Sequence, residues 1–390
     1  MDRIEELLTR GVDTVYPSKE ELEKVLKSGK KLRLYQGFDP TGTQLHIGHM
    51  VGLRKLSQWQ KAGHHVIFLI GDGTGQAGDP SGKTKARDKF MTRDELRKNA
   101  KDYVMQAGNI IDFDAENVEI LYNGDWLNKL GLIDILEIAG HFSLQQLSER
   151  DLFVERMKKG EDVNLREFLY PLLQGYDSVA MKIDLELGGT DQTFNMLAGR
   201  KLVKEMLNKD KFVMTTPLLT DSQGIKIGKS EGNVIALTDK PEELYGKIMA
   251  LPDDVVAKGF EYLTDVPMDE INSMNNDFMK NKKRLAFEIV KQLNGEEQAT
   301  PSQEYFESTV QKKELPNDIK EFSWSTGKSL VDLLVKSELA VSRSEAKRLM
   351  EQGGVAVDEE IITDPNAPFS GTDGSIVRVG KRKFIRIKIK

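Results

Sequence analysis

Two short constellations in this sequence carry the residue types that phosphate chemistry needs. His46-Ile47-Gly48-His49 follows the turn-forming run Asp39-Pro40-Thr41-Gly42 and opens a segment in which Met50, Leu53 and Leu56 give a helix an apolar face. Two imidazoles at a helix start can donate hydrogen bonds to phosphate oxygens, helped by the helix N-terminus. Gly48, having no side chain, leaves room for a planar base against the same turn. Later, Lys226-Ile227-Gly228-Lys229-Ser230 sets two ammonium groups around a glycine in a flexible loop. Such a loop can close over a triphosphate and stabilise the charge that grows on a leaving pyrophosphate. Each motif alone has a plain alternative, structural histidines in one case and a solvated basic loop in the other. Their occurrence in one chain points to nucleotide activation.

Secondary structure has to hold these groups in place. Residues 32–38 (LRLYQGF) predict a short strand, the segment from about Gly48 to Ala62 a helix, and 65–71 (HVIFLIG), a continuous apolar run ending in glycine, a buried parallel strand. Strand, helix, strand in this order is a βαβ unit, and ligands bind such sheets at the carboxyl ends of the strands. Residues 92–150 read as largely helical. In that stretch Leu132, Ile135, Leu136, Ala139 and Phe142 form an apolar stripe expected to pack into a core, a subunit contact being the alternative. After Lys229-Ser230-Glu231-Gly232 the composition shifts to polar helices from about Lys240 to Val310. A linker containing Pro316 and Gly327 then precedes a final module beginning near Lys328.

Composition narrows the class. A chain of 390 residues favours two or three domains, and 39% hydrophobic with 30% charged residues suggests neither disorder nor membrane insertion. No run of about eighteen apolar residues occurs, and the start, MDRIEELLTRGVD, is amphipathic and charged rather than signal-like. The expectation is a cytoplasmic protein with no membrane partner. Zero cysteines exclude disulfides, thiolate nucleophiles and cysteine-ligated zinc, and five scattered histidines offer little for a transition-metal site. No protein-held metal is expected; any metal is Mg²⁺ arriving with a nucleotide. The net charge of -6 argues against a basic coat over the whole molecule, yet the final stretch Arg378, Lys381, Arg382, Lys383, Arg386, Lys388, Lys390 contains no acid. A basic strip on an acidic body suggests a localised polyanion contact.

A His-x-Gly-His motif followed by a distant Lys-x-x-Lys-Ser loop is the pattern of class I aminoacyl-tRNA synthetases. Further motifs narrow the resemblance to the bacterial tyrosyl-tRNA synthetase family, over nearly the whole chain. Tyr35-Gln36-Gly37-Phe38-Asp39-Pro40-Thr41 leads into the histidines and Gly78-Asp79-Pro80-Ser81-Gly82-Lys83 follows. Tyr170, Gln174 and Asp177 share one side of one helical segment, and Gly188-Gly189-Thr190-Asp191-Gln192 completes the set. The resemblance implies that Tyr35 and Asp177 bond the phenolic hydroxyl of L-tyrosine, that Asp79, Tyr170 and Gln174 hold its ammonium end, and that Gln192 neighbours its carboxylate. Gly37 is expected in the same subsite. It further implies an ATP site of Asp39, Gly48, Gly189 beneath the ribose, Asp191 on the ribose hydroxyls, and Lys229. Thr41, His46, His49, Lys83, Arg87, Lys226 and Lys229 look like the set that tightens on the phosphates in the transition state. Two departures stand out: the loop reads Lys-Ile-Gly-Lys-Ser where the class has Lys-Met-Ser-Lys-Ser, and Glu186 stands where some members carry Gln.

The final module, Leu330 to Lys388, resembles the S4 RNA-binding domain. Its core match, Leu339 to Arg348, is expected to form a helix with Arg343, Lys347 and Arg348 clustered on one side to hold RNA phosphates. The implied architecture is α/β. A Rossmann-like parallel-sheet catalytic domain with a helical insertion (1–225) precedes the lysine loop and a helical anticodon-binding domain (226–315). A linker (316–327) and a small α+β S4-like domain (328–390) complete it. The implied partners are ATP as substrate, Mg²⁺ with it, L-tyrosine, tRNA(Tyr) and a second copy of the chain. Tryptophanyl-tRNA synthetases share the fold and both motifs; Tyr35 paired with Asp177, and the S4-like tail, argue for tyrosine. A non-aminoacylating nucleotidyltransferase would have no use for that tail.

Overall fold

A computed structural model of the chain describes residues 3–81, 90–148, 151–227, 234–311, 319–380 and 383–389. The expected site residues Lys83, Arg87 and Lys229, and the basic residues Lys381, Arg382 and Lys390, lie outside the described residues. The chain divides into two compact units, Met1–Asp239 with Leu251–Leu285, and Lys240–Ala250 with Ala286–Lys390.

The first unit is built on a six-stranded sheet. Its strands are β1 (Thr14–Tyr16), β2 (Arg33–Phe38), β3 (His65–Ile70), β4 (Val118–Tyr122), β5 (Leu185–Gly189) and β6 (Phe212–Thr216), in the spatial order β1-β6-β5-β2-β3-β4. Only β1 runs antiparallel to its neighbour; the other pairings are parallel. Residues 66–70 of β3 are all buried, as the unbroken apolar run requires of a strand covered on both faces. The chain order reverses between β2 and β5, where Tyr35 sits opposite Ile67 on one side and Glu186 on the other. The helix Ile47–Lys61 returns across the sheet with Met50, Leu53, Leu56 and Trp59 buried.

Residues 92–150 are largely helical as expected, with one strand not foreseen: after the helix Arg93–Ala107, opened by a reciprocal Thr92–Glu95 cap, the chain forms β4 beside β3. Five half-buried residues are too few for periodicity to separate a strand from a helical turn. The expectation for the apolar stripe is corrected, because it is not a core stripe. In the helix Leu132–Gly140 only Ile138 is buried, joining Leu172, Val179, Leu202 and Val203, while Leu132 and Leu136 are 71% and 57% exposed. The helix packs by one edge, and its remaining apolar side faces outward.

The second unit contains a five-stranded sheet of β7 (Glu321–Trp324), β8 (Val355–Val357), β9 (Glu360–Ile361), β10 (Ile376–Val379) and β11 (Lys383–Ile389), ordered β7-β11-β10-β8-β9. Its core gathers Leu330, Leu334, Met350, Phe369, Val377 and Ile385. The helix expected from Leu339 starts only at Arg343, because Ser342 accepts from the Glu345 amide and caps it. Leu339 and Ala340 instead turn into the core.

Candidate active site

Where the order of the sheet reverses, the carboxyl ends of β2 and β5 part and leave a cavity of about 390 Å³. All the described residues expected at the amino-acid and nucleotide sites line it, including Gly37 and Thr41 near the end of β2.

The end of the cavity expected to take the amino acid is buried and braced. Tyr35 lies among Ile67, Leu69, Met181 and Ile183, with its hydroxyl 3.1 Å from Ser178 Oγ. Asp177 accepts from Asn123 Nδ2 at 3.0 Å and from Trp126 Nε1 at 2.8 Å. Burial pushes the Asp177 carboxyl well above the usual carboxylate range, with those two donors acting in the opposite direction. Burial likewise raises the Tyr35 and Tyr170 phenols, reinforced by the Glu186 carboxylate in one case and Asp39 in the other. Tyr170 donates to Asp39 Oδ2 at 2.9 Å, and Thr74 donates to Asp39 Oδ1 at 2.7 Å. Asp79 accepts from the Ser81 amide at 2.9 Å and from Gln192 Nε2 at 2.8 Å. Gln174 donates to Glu186 at 3.0 Å.

At the end expected to take the nucleotide the two histidines cap their own helix reciprocally. His46 Nδ1 accepts from the Gly48 amide and His49 Nδ1 accepts from the His46 amide, each at 3.1 Å, and the rings lie 3.8 Å apart by their centroids. An imidazole nitrogen that accepts carries no proton, so each ring in this tautomer holds its N–H at Nε2, the atom able to donate to a phosphate. A Cβ at Gly48 would approach the His46 ring to 3.0 Å. Lys226 Nζ donates to Asp191 Oδ2 at 3.0 Å, and the Ile227 amide donates to the Leu219 carbonyl at 2.8 Å, so the start of the expected flexible loop is anchored. Beyond the loop, the Ile235 carbonyl accepts from the Ile47 amide, tying the returning chain to the histidine helix. At Gly189 a Cβ would lie 2.7 Å from Asp191 Oδ1.

Several groups at the cavity escape a reading of the sequence. Asn123 and Trp126 follow β4, the strand not foreseen. Gln106 accepts from the Leu45 amide and donates to the Thr43 carbonyl, bracing the turn that leads to His46. Tyr103, pushed up to about 12 by burial, lines the cavity beside the histidines. Gln36, on the wall, has a buried Oε1 with no hydrogen-bond partner among the described residues. In the second unit Arg343, Lys347 and Arg348 are all exposed, Arg343 meeting Asp332 at 3.1 Å. On β11, Arg386 and Lys388 alternate with the buried Ile385 and Ile387 and so face outward.

The sequence matches the family of tRNA synthetases class I (W and Y) over residues 27–311 and the S4 domain over residues 329–374. It is 42% identical to the tyrosine–tRNA ligase of Thermotoga maritima, covering 98% of this chain and 96% of that one. With the tyrosine–tRNA ligase of Aquifex aeolicus it shares 40% identity over 94% of each. The C-terminally truncated mitochondrial tyrosyl-tRNA synthetase of Aspergillus nidulans superposes with a TM-score of 0.66 at 26% identity, over 77% of this chain and 92% of that one. The Archaeoglobus fulgidus tyrosyl-tRNA synthetase, solved with L-tyrosine, shares the fold with a TM-score of 0.59 at 22% identity, over 77% of this chain and all of the other. Relatives matched from end to end, through the sheet-based core and the S4 domain alike, place the chain in the tyrosyl-tRNA synthetase family of class I aminoacyl-tRNA synthetases.

Proposed function

We propose that the protein activates L-tyrosine with ATP to tyrosyl-adenylate and pyrophosphate, then transfers tyrosine to the 3′ end of tRNA(Tyr). One observation carries this reading. Tyr35 and Asp177, suited to a phenolic hydroxyl, and His46, His49 and Lys226, suited to phosphates, line the same cavity.

In the first step the tyrosine carboxylate attacks the α-phosphate in line; in the second a ribose hydroxyl of the tRNA attacks the activated carbonyl. No protein nucleophile takes part, so the rate comes from positioning and from charge stabilisation by fixed donors. Tyr35 and Asp177 meet the phenolic hydroxyl, while Asp79, Tyr170 and Gln174 receive the ammonium, with Gln192 beside the carboxylate. Asp39, Gly48, Gly189 and Asp191 hold the nucleoside, and Asp191, whose Oδ2 accepts from Lys226, has its second carboxylate oxygen to offer the ribose. Thr41, His46, His49 and Lys226, with Lys83, Arg87 and Lys229 from outside the described residues, bear on the phosphates. A site built to bond a hydroxyl rejects the analogue that lacks it; tyrosine against phenylalanine on this enzyme type is a standard measured example, not a magnitude obtained from this structure. Mg²⁺ would come coordinated to the nucleotide, since it needs few protein ligands.

We assign tRNA phosphate contacts to Arg343, Lys347 and Arg348 and the outward face of β11, and anticodon contacts to the helices of 226–315. The exposed Leu132, Ile133 and Leu136 support a homodimer closing over that face. Among the described residues no helix is long and apolar enough to cross a membrane; we place the enzyme in the cytoplasm. Pyrophosphate exchange measured with each of the twenty amino acids tests the function: exchange with tyrosine alone is expected, and exchange with tryptophan or with none overturns it.

A further inference from the structure

Behind the amino-acid end of the cavity lies a charge pair that no motif announces. Lys211 precedes β6 and is wholly buried, and Glu186 in β5 is 1% exposed. Lys211 Nζ reaches three acceptors: Glu186 Oε2, Ser178 Oγ at 2.7 Å and the Met196 carbonyl at 3.3 Å. Three acceptors match the three donors of an ammonium group. Space for it exists because residue 199 is glycine; a Cβ there would lie 2.6 Å from Nζ. Arg200 Nε donates to the Lys211 carbonyl at 3.0 Å and so fixes the base of the side chain. A buried ion pair commonly stabilises a fold no better than an apolar pair of the same volume, so fold stability alone gives little reason for this one.

A hydrogen-bond path leads from the pair into the cavity. Glu186 Oε1 accepts from Gln174 Nε2 at 3.0 Å. An ionised carboxylate only accepts, so the amide must turn its NH₂ toward Glu186, leaving Gln174 Oε1 buried and without a hydrogen-bond partner among the described residues. Lys211 and Ser178 hold the same carboxylate from its other side: both donate to Oε2, Ser178 Oγ from 3.3 Å. Oε1 is thereby left to Gln174.

We propose that Glu186 and Lys211 are positioning residues that set the direction of hydrogen bonding at the ammonium end of the amino-acid site. Glu186 makes Gln174 an acceptor toward the substrate ammonium, and Lys211 supplies the charge that keeps Glu186 a pure acceptor in that place. This rests on the assignment of the cavity to tyrosine.

The test is the full-length double variant Glu186→Gln with Lys211→Met, which removes both charges at similar volume and strands neither. Thermal unfolding and tyrosine-dependent pyrophosphate exchange are measured together. A folded double variant is expected to raise the tyrosine KM about tenfold or more and to leave the ATP KM unchanged. A folded double variant with the wild-type tyrosine KM overturns the proposal. Should that variant not fold, the single variant Glu186→Gln, whose own NH₂ can turn toward Gln174, is expected to raise the tyrosine KM several-fold; an unchanged tyrosine KM overturns the proposal. A wild-type protein that shows no exchange with tyrosine would instead overturn the assignment of the cavity, so the two failures are distinguishable.

Discussion

In the cavity, Asp39, Asp79, Asp177 and Glu186 have their oxygens engaged by donors of the protein itself. On the helix Arg343–Glu351 of the second unit, Lys347 and Arg348 stand on an exposed face. Groups of the first kind are held in one geometry and can act on a reacting centre, where small displacements change rates greatly. Groups of the second kind offer charge to a polyanion without a fixed geometry, contributing affinity that salt weakens. The proposed function assigns chemistry to the first kind and holding to the second, and substitutions can test how sharply that division runs.

The largest effect is expected at the histidines. His46→Ala should slow tyrosine-dependent pyrophosphate exchange by about 2–4 kcal/mol of activation free energy while leaving the tyrosine KM nearly unchanged. His46→Asn retains an N-cap acceptor, so a similar loss of rate in that variant assigns the effect to phosphate contact rather than to the helix start. Equal rates in wild type and both variants would break the contrast at its strongest point.

Next in size is Gly199→Ala, whose Cβ would press on Lys211 Nζ; urea unfolding should show a loss of about 2 kcal/mol. An equally stable variant would mean that the interior behind the cavity is looser than the contacts imply.

A pH experiment extends the comparison to the wall of the sheet. His64 Nδ1 accepts from the Leu32 amide at 3.1 Å, and burial, with Lys31 and Arg3 nearby, pulls its pKa down to about 4. The unfolded imidazole titrates near 6.5. Between those values the unfolded chain binds a proton that the folded chain refuses, so stability should fall as pH drops from about 6.5 toward 4 and be insensitive to this group above that window. The loss should reach roughly 1–2 kcal/mol, and His64→Gln should remove that part of the pH dependence in urea titrations at pH 7 and 4.5.

The smallest effect belongs to the exposed helix. Lys347→Ala should weaken tRNA binding by less than about 1 kcal/mol and reduce the salt slope by about 1, with exchange unaffected. A changed exchange rate would show that the basic face reaches into the chemistry.

Much of the site was legible because its residues announce themselves locally. The strand-turn-helix around Tyr35 to His49 combines an apolar run, a Pro-Gly turn and an amphipathic segment, and the structure follows it within a residue or two. Long-range pairing was not legible. Lys211 stands between Asp210 and Phe212 like any surface lysine, and only the folded chain brings it to Glu186, 25 residues earlier. β4 was too short for its period to show, and with it went Asn123 and Trp126, the partners of Asp177. The stripe of Leu132 and Leu136 was correctly seen as one face, but periodicity says which residues share a face and not whether anything covers it.

The meeting of Gly175 with Gly199 carries a last consequence. A Cβ on Gly175 would lie 3.1 Å from the Gly199 nitrogen, so the helices Leu165–Ala180 and Thr193–Leu207 touch backbone to backbone. Side chains hop between rotamers and act as soft spacers, but two abutting main chains have nothing between them to compress or rearrange. The first of these helices bears Tyr170, Gln174 and Asp177, so the breadth of the amino-acid site is gauged by a stiff joint. Selectivity should then drift little with temperature or pressure even where stability does.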